Sequence, residues 1–95
     1  MTAAPEFVAE ASAIDDARVA AYAALRAASR RGLTGADVDA FHDAMEEITA
    51  RCEVLRRRFY PRRHRLIVAC GVAMVVSRTY RSREVVWTRP DRRRR

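Results

Sequence analysis

Ninety-five residues with a formal net charge of +7 hold one domain with a modest core, too small to enclose a deep catalytic cleft. All 19 basic residues are arginine, and lysine, asparagine and glutamine do not occur. The longest apolar run, Leu66 to Val76, has eleven residues, well short of the roughly 20 that a membrane-spanning helix needs.

The first sixty residues predict two helices. Pro5 suits a first helical turn, and Glu6 and Glu10 favour its positive end. Alanine, the best helix former, dominates up to Ala28. Arg26, Arg30 and Arg31 complement the helix C-terminus, and Gly32 supplies a left-handed stop, with Leu33 placed to fold back on the last turn. The first helix is therefore expected over 5–31. Thr34 is a good N-cap for the second, with Asp37 three residues on and Leu33 and Val38 spaced as a hydrophobic staple. Val38, Phe41, Met45, Ile48, Cys52, Leu55 and Phe59 then recur in steps of three and four, an unbroken a/d seam that predicts the helix-packing interface. Arg56 to Arg58 fill the last turn and Pro61 stops the helix. The short linker forces an antiparallel hairpin. Its first helix offers the slimmer stripe Phe7, Ile14, Ala17, Ala21, Ala24, Leu25 and Ala28. Val8, Val19, Tyr22 and Val54 lie off the seam, so a second copy or another protein is expected to cover them.

After Pro61 the period changes. Leu66 to Val76 is β-branched and broken by Gly71, and Val72–Tyr80 and Glu84–Arg89 flank Arg81-Ser82-Arg83. A β-hairpin is expected within 61–89, with a third helix over about 62–80 as the competing assignment, and 90–95 as an arginine tail. The fold class is mainly α: an antiparallel, coiled-coil-like helical hairpin followed by a short C-terminal β-hairpin, a small α+β unit.

Charge is segregated along the chain. Up to Ala50, four arginines face nine carboxylates, a net of −5; from Arg51 onward, fifteen face three, a net of +12. G/C-rich codon usage would explain arginine in place of lysine, but it acts on both halves alike and leaves the asymmetry unexplained. Guanidinium forks bind phosphates and carboxylates in two-pronged fashion. Arg56, Arg57, Arg58, Arg62, Arg63 and Arg65 cluster around Phe59, Tyr60 and His64, and Arg89 with Arg92, Arg93, Arg94 and Arg95 lies near Trp87. These arginines are the candidate polyanion site, with Tyr60 and Trp87 as stacking candidates. The expected partner is nucleic acid, gripped by its backbone, or an acidic protein surface. The chain would then be a homo-oligomer or a subunit of a larger nucleoprotein assembly of virion, phage or nucleoid type, or else a protein–protein adaptor.

Other chemistry is not expected. Cys52, Cys70, His42 and His64 lack metal-ligand spacing, so no metal or cofactor is assigned; both thiols are read as core residues. Asp15-Asp16 and Glu46-Glu47 are neighbours on helices, read as solvated faces rather than a converging acid–base pair. No nucleophile has a plausible base, and no Gly-rich phosphate loop occurs, so an enzyme is not expected. A helix-turn-helix docking mode would bring Asp37, Asp39 and Asp43 against phosphates, and is excluded on charge. With Met1 to Glu10 lacking a secretion signal and only two cysteines present, an intracellular, reducing compartment is expected and a membrane partner is not.

The length and hairpin shape resemble the small helical hairpins secreted by type VII systems. That family carries a Trp-x-Gly motif at its bend. Here the bend reads Gly32-Leu33-Thr34-Gly35 and the single tryptophan is Trp87, so the residues assign no family.

Overall fold

The computed structural model describes residues 3–90. Two helices, α1 (Pro5–Arg31) and α2 (Gly35–Phe59), are followed by three strands, β1 (Arg65–Ala69), β2 (Val72–Val76) and β3 (Arg83–Thr88). The strands form one antiparallel meander in the order β1-β2-β3. The mainly α, small α+β architecture with its helical hairpin is therefore as expected.

The hairpin ends are fixed by local chemistry. Pro5 opens α1, and Gly32 follows it at φ 105°. Thr34 caps α2 in a reciprocal box: its hydroxyl accepts from the Asp37 amide, and the Asp37 carboxylate accepts from the Thr34 amide at 3.0 Å. Arg31 reaches the same carboxylate at 2.8 Å, and these bonds hold the Asp37 carboxyl down at about 2. Leu33 is half exposed, so the bend rests on this polar network more than on a hydrophobic fold-back.

The predicted seam packs most tightly at one end. Ile48, Cys52 and Leu55 are buried, whereas Val38, Phe41 and Met45 toward the bend are only half-buried. The difference is a matter of layers. At the deep end the sheet lies on the hairpin, so Phe7, Ala11 and Ile14 of α1 join Leu66, Val68, Ala73, Val75 and Trp87 in one continuous core. Phe7 meets Phe59 and Tyr60 edge-on, with ring centres 5.7 and 5.5 Å away. At the bend, two helices alone cannot enclose their apolar stripes. Tyr22 packs edge-on to Phe41 at 5.1 Å, yet Tyr22, Val19 and Leu33 stay exposed. Val8, expected to need an outside partner, is instead partly covered by the chain's own core. Val54 remains exposed on α2.

Beyond Pro61 the chain makes one more strand than expected, and no third helix. The run Leu66 to Val76 folds back on itself at Cys70-Gly71, whose φ values of 54° and 76° are the two positive angles of a type I′ hairpin turn. Cys70 is consequently exposed in a turn and is not a core thiol. β2 ends at Val76 rather than Tyr80, because the Ser77 amide donates to the Ser82 carbonyl at 2.9 Å and closes a loop over 77–82.

Cross-strand partners share a face of the sheet, so the register assigns its outer surface, the one turned away from the helices. Three rows cross it: Arg65, Val76 and Arg83, with Val76 itself buried between the two arginines; Ile67, Met74 and Val85; Ala69, Val72 and Thr88. The pairing shifts between Ala73 and Met74, where Val86 is the extra residue of a bulge.

Candidate polyanion-binding site

The arginines divide by whether a carboxylate or carbonyl faces them. Arg89 is the most deeply held. Its Nε donates to Asp15 Oδ2 at 2.9 Å, and its Nη2 donates to Asp16 Oδ1 at 2.9 Å and to the Ser12 carbonyl at 3.1 Å. The other oxygen of Asp15 accepts from the Gly71 amide at 3.0 Å. Asp15 is only 3% exposed, so the expectation that it belongs to a solvated helix face is corrected. It is a buried anion that ties α1 to the β1–β2 turn and to the end of β3. Asp16, exposed on the next position, reaches the same guanidinium from the rim. Arg18 adds a bond from Nε to the Val68 carbonyl at 2.9 Å, and Arg51 grips Glu10 with two prongs at 3.0 Å each, joining the helices.

Within the predicted cluster, Arg56 and Arg63 are tied. Arg56 forms a two-pronged pair with Glu53 and donates from Nη1 to the Arg63 carbonyl at 2.6 Å, pinning the connection between α2 and β1. The Arg56 guanidinium holds the Glu53 carboxyl down at about 2. Arg63 donates to Glu84 at 2.9 Å and to the Ser82 hydroxyl at 3.2 Å, joining that connection to the 77–82 loop and β3. Arg57 touches Glu53 at 3.2 Å, but its side chain is 72% exposed. Arg58, Arg62 and Arg65 are exposed, Arg58 with its guanidinium 4.8 Å from the centre of the Phe59 ring. Arg92, Arg93, Arg94 and Arg95 lie outside the described residues.

Outside the predicted cluster, Arg78, Arg81 and Arg83 are exposed as well, as are Arg26 and Arg30 on α1. Among the described residues, no carboxylate lies within ion-pair distance of Arg58, Arg62, Arg65, Arg78, Arg81 or Arg83. Antiparallel pairing gathers five of them. β1 starts, β2 stops and β3 starts at the same end of the sheet, which places Arg65 and Arg83 on either side of Val76. Arg62 precedes β1, and the 77–82 loop carries Arg78 and Arg81. The sequence signal was present in Ser77-Arg78-Thr79-Tyr80-Arg81-Ser82-Arg83, where turn-forming hydroxyl residues alternate with arginine.

The aromatics are sorted differently from expectation. Trp87 is 9% exposed in the core, with the Arg89 guanidinium 5.6 Å from its ring centre, and Tyr60 is half-buried against Phe7. Burial raises the Tyr60 hydroxyl above the ordinary tyrosine range. The exposed aromatics at the arginine end are Tyr80 and His64, which meet edge-on with ring centres 6.0 Å apart. Tyr80 has φ 60°, a left-handed conformation that costs a bulky residue on the order of 1 kcal/mol or more.

Among the described residues no three of His, Cys, Asp and Glu converge as metal ligands, and no helix is long and apolar enough to cross a membrane. Burial raises the Cys52 thiol, which keeps it protonated and unreactive. No family model matches the chain, and neither a curated protein nor a solved structure matches it.

Proposed function

We propose that this chain is a non-enzymatic structural subunit that binds nucleic acid through its phosphate backbone, using the arginine end of the sheet, and that docks or oligomerises through its helical hairpin. One observation carries the first part: five exposed arginines from three consecutive segments converge where, among the described residues, no carboxylate lies within ion-pair distance of them and the nearby Glu84 is engaged by Arg63. Guanidiniums held apart from acids leave their forks open to phosphate oxygens. Arg57 and Arg58, exposed in the last turn of α2, add to the same positive field. Val19, Tyr22 and Leu33, exposed on the bend half, support the second part, because apolar surface of that kind favours association.

Salt titration tests it. With about six phosphates neutralised, log affinity for duplex should fall against log salt with a slope near −5. A flat response, or no binding at low salt, removes the proposal.

A second reading is favoured by the outer sheet face. Ile67, Met74 and Val85 form an apolar row beside Arg65 and Arg83, and Val85 is 57% exposed. Phosphate contact makes no use of such a row, whereas an acidic protein surface with apolar residues would use both. In that adaptor reading, nuclease treatment leaves the assembly intact while Arg65→Glu with Arg83→Glu dissolves it. Loss of the assembly on nuclease treatment decides for nucleic acid.

A further inference from the structure

We infer that the nucleic acid is single-stranded and that Tyr80 is the platform on which one of its bases stacks. This rests on the nucleic-acid reading above and names the class of ligand.

Tyr80 is half exposed, 51% by surface, in a conformation tyrosine rarely adopts. Its loop is built to hold it there. The Tyr80 amide donates to the Ser77 carbonyl at 2.9 Å, the Ser77 amide to the Ser82 carbonyl at 2.9 Å, and the Ser82 amide to the Ser77 hydroxyl at 3.1 Å. His64, from the connection before β1, is itself anchored by its amide to the Val76 carbonyl at 2.9 Å and meets the Tyr80 ring edge-on. Two separate segments thus fix a ring whose burial contributes little to the core. A strained, well-supported and exposed residue points to a role in binding.

Its neighbours define that role. Arg78 and Arg81 flank Tyr80 in the loop, and Arg65 and Arg83 stand at the adjacent strand ends. An aromatic ring among guanidiniums is the arrangement that grips a single strand: the base lies on the ring while the forks take the phosphates on either side. A duplex keeps its base faces inside the stack and offers the ring nothing. A carboxylate-bearing protein would engage the arginines but supplies no flat base face for the ring to stack on.

The test is fluorescence anisotropy with the full chain and labelled twelve-nucleotide probes, about 12 positions being enough to cover one such site. The probes are oligo(dT), oligo(U), a duplex of equal length, and an abasic strand with the same phosphates. The wild type should bind the single strands more tightly than the duplex or the abasic strand. The oligo(dT) and oligo(U) arms tell DNA from RNA. Tyr80→Gly removes the ring and fits the positive φ, so folding is safeguarded. It should weaken single-strand binding about 10-fold, at roughly 1.4 kcal/mol for each factor of ten, and leave duplex and abasic binding unchanged. Tyr80→Trp should retain single-strand affinity. If Tyr80→Gly binds oligo(dT) and oligo(U) like the wild type, or the duplex binds equally well, the stacking role is overturned while phosphate binding stands. If no probe binds at low salt, both readings fall.

Discussion

The two ends of the three-stranded sheet use the same side chain for opposite purposes. At the Cys70-Gly71 end, Arg89 is enclosed by Asp15, Asp16 and the Ser12 carbonyl, and its charge is neutralised inside the protein. At the other end, Arg65 and Arg83 flank an apolar valine with no acid in reach among the described residues. The composition is identical; the environment differs. A guanidinium facing a buried carboxylate organises the fold, while one facing water organises the surroundings. The count of 19 arginines therefore overstates what this chain can offer a partner, because Arg18, Arg51, Arg56, Arg63 and Arg89 are tied internally.

The contrast is broken most severely by removing the enclosed anion. Asp15→Asn removes the buried countercharge of Arg89, leaving only the exposed Asp16 at the rim, and weakens the bond to the Gly71 amide. It should cost about 3–5 kcal/mol of stability in chemical denaturation. A loss below about 1 kcal/mol would mean that the clamp is not what holds β3 to α1.

The opposite end should show the opposite pattern. Arg65→Glu with Arg83→Glu reverses two unpaired charges on the outer row. Polyanion affinity should drop by more than about 10-fold and the log–log salt slope should shrink by about 2. Stability should move by no more than about 0.5 kcal/mol per exposed site, measured on the same sample. Unchanged binding would show that these two exposed arginines are idle.

How much of this was visible in the residues depends on the range of the interactions involved. The hairpin was legible because its causes are local: Gly32 as a stop, Thr34 with Asp37 as a box, and a seam from Val38 to Phe59 with regular spacing. The strand β1 was hidden because its turn begins with a cysteine at positive φ, a residue that carries no turn signature. Asp15 was misplaced for a different reason: its partner is 74 positions away, and no helical periodicity reports that distance. Arg56 reads as an ordinary cation at a helix C-terminus, and only the folded chain brings the Arg63 carbonyl to it. Of the candidate site, the arginine richness was legible. Which arginines stay open, and that Tyr80 rather than Trp87 stands among them, follows from the sheet register.

A milder test of the enclosed end is Gly71→Ala. Gly71 has φ 76°, and an added Cβ would lie 3.4 Å from Arg89 Cβ. The expected cost is about 1 kcal/mol, from the left-handed backbone rather than from a clash. An unchanged denaturation midpoint would show that the turn relaxes freely.

The smallest effect concerns pH at the root of the arginine end. The Glu53 carboxyl is held at about 2 in the folded chain against an ordinary 4.5. A lowered folded value means that the unfolded chain binds the extra proton. The contribution is complete above about pH 4.5 and disappears as pH falls toward 2. Because Glu53 is solvent-screened, it amounts to about 0.5 kcal/mol or less. Glu53→Gln should therefore be slightly less stable than the wild type at pH 6, with the gap closing by pH 2. A gap of constant size would assign the effect to geometry instead of charge.

Trp87 and Arg83 sit four positions apart, an even separation that in a regular strand would turn both the same way. The irregularity at Val86 lets one anchor the interior while the other stands outside. That strand thus carries a spare link: losing Val86 would restore an ordinary ladder without exchanging its greasy and charged sides, so this stretch can tolerate a change of length where most strands cannot.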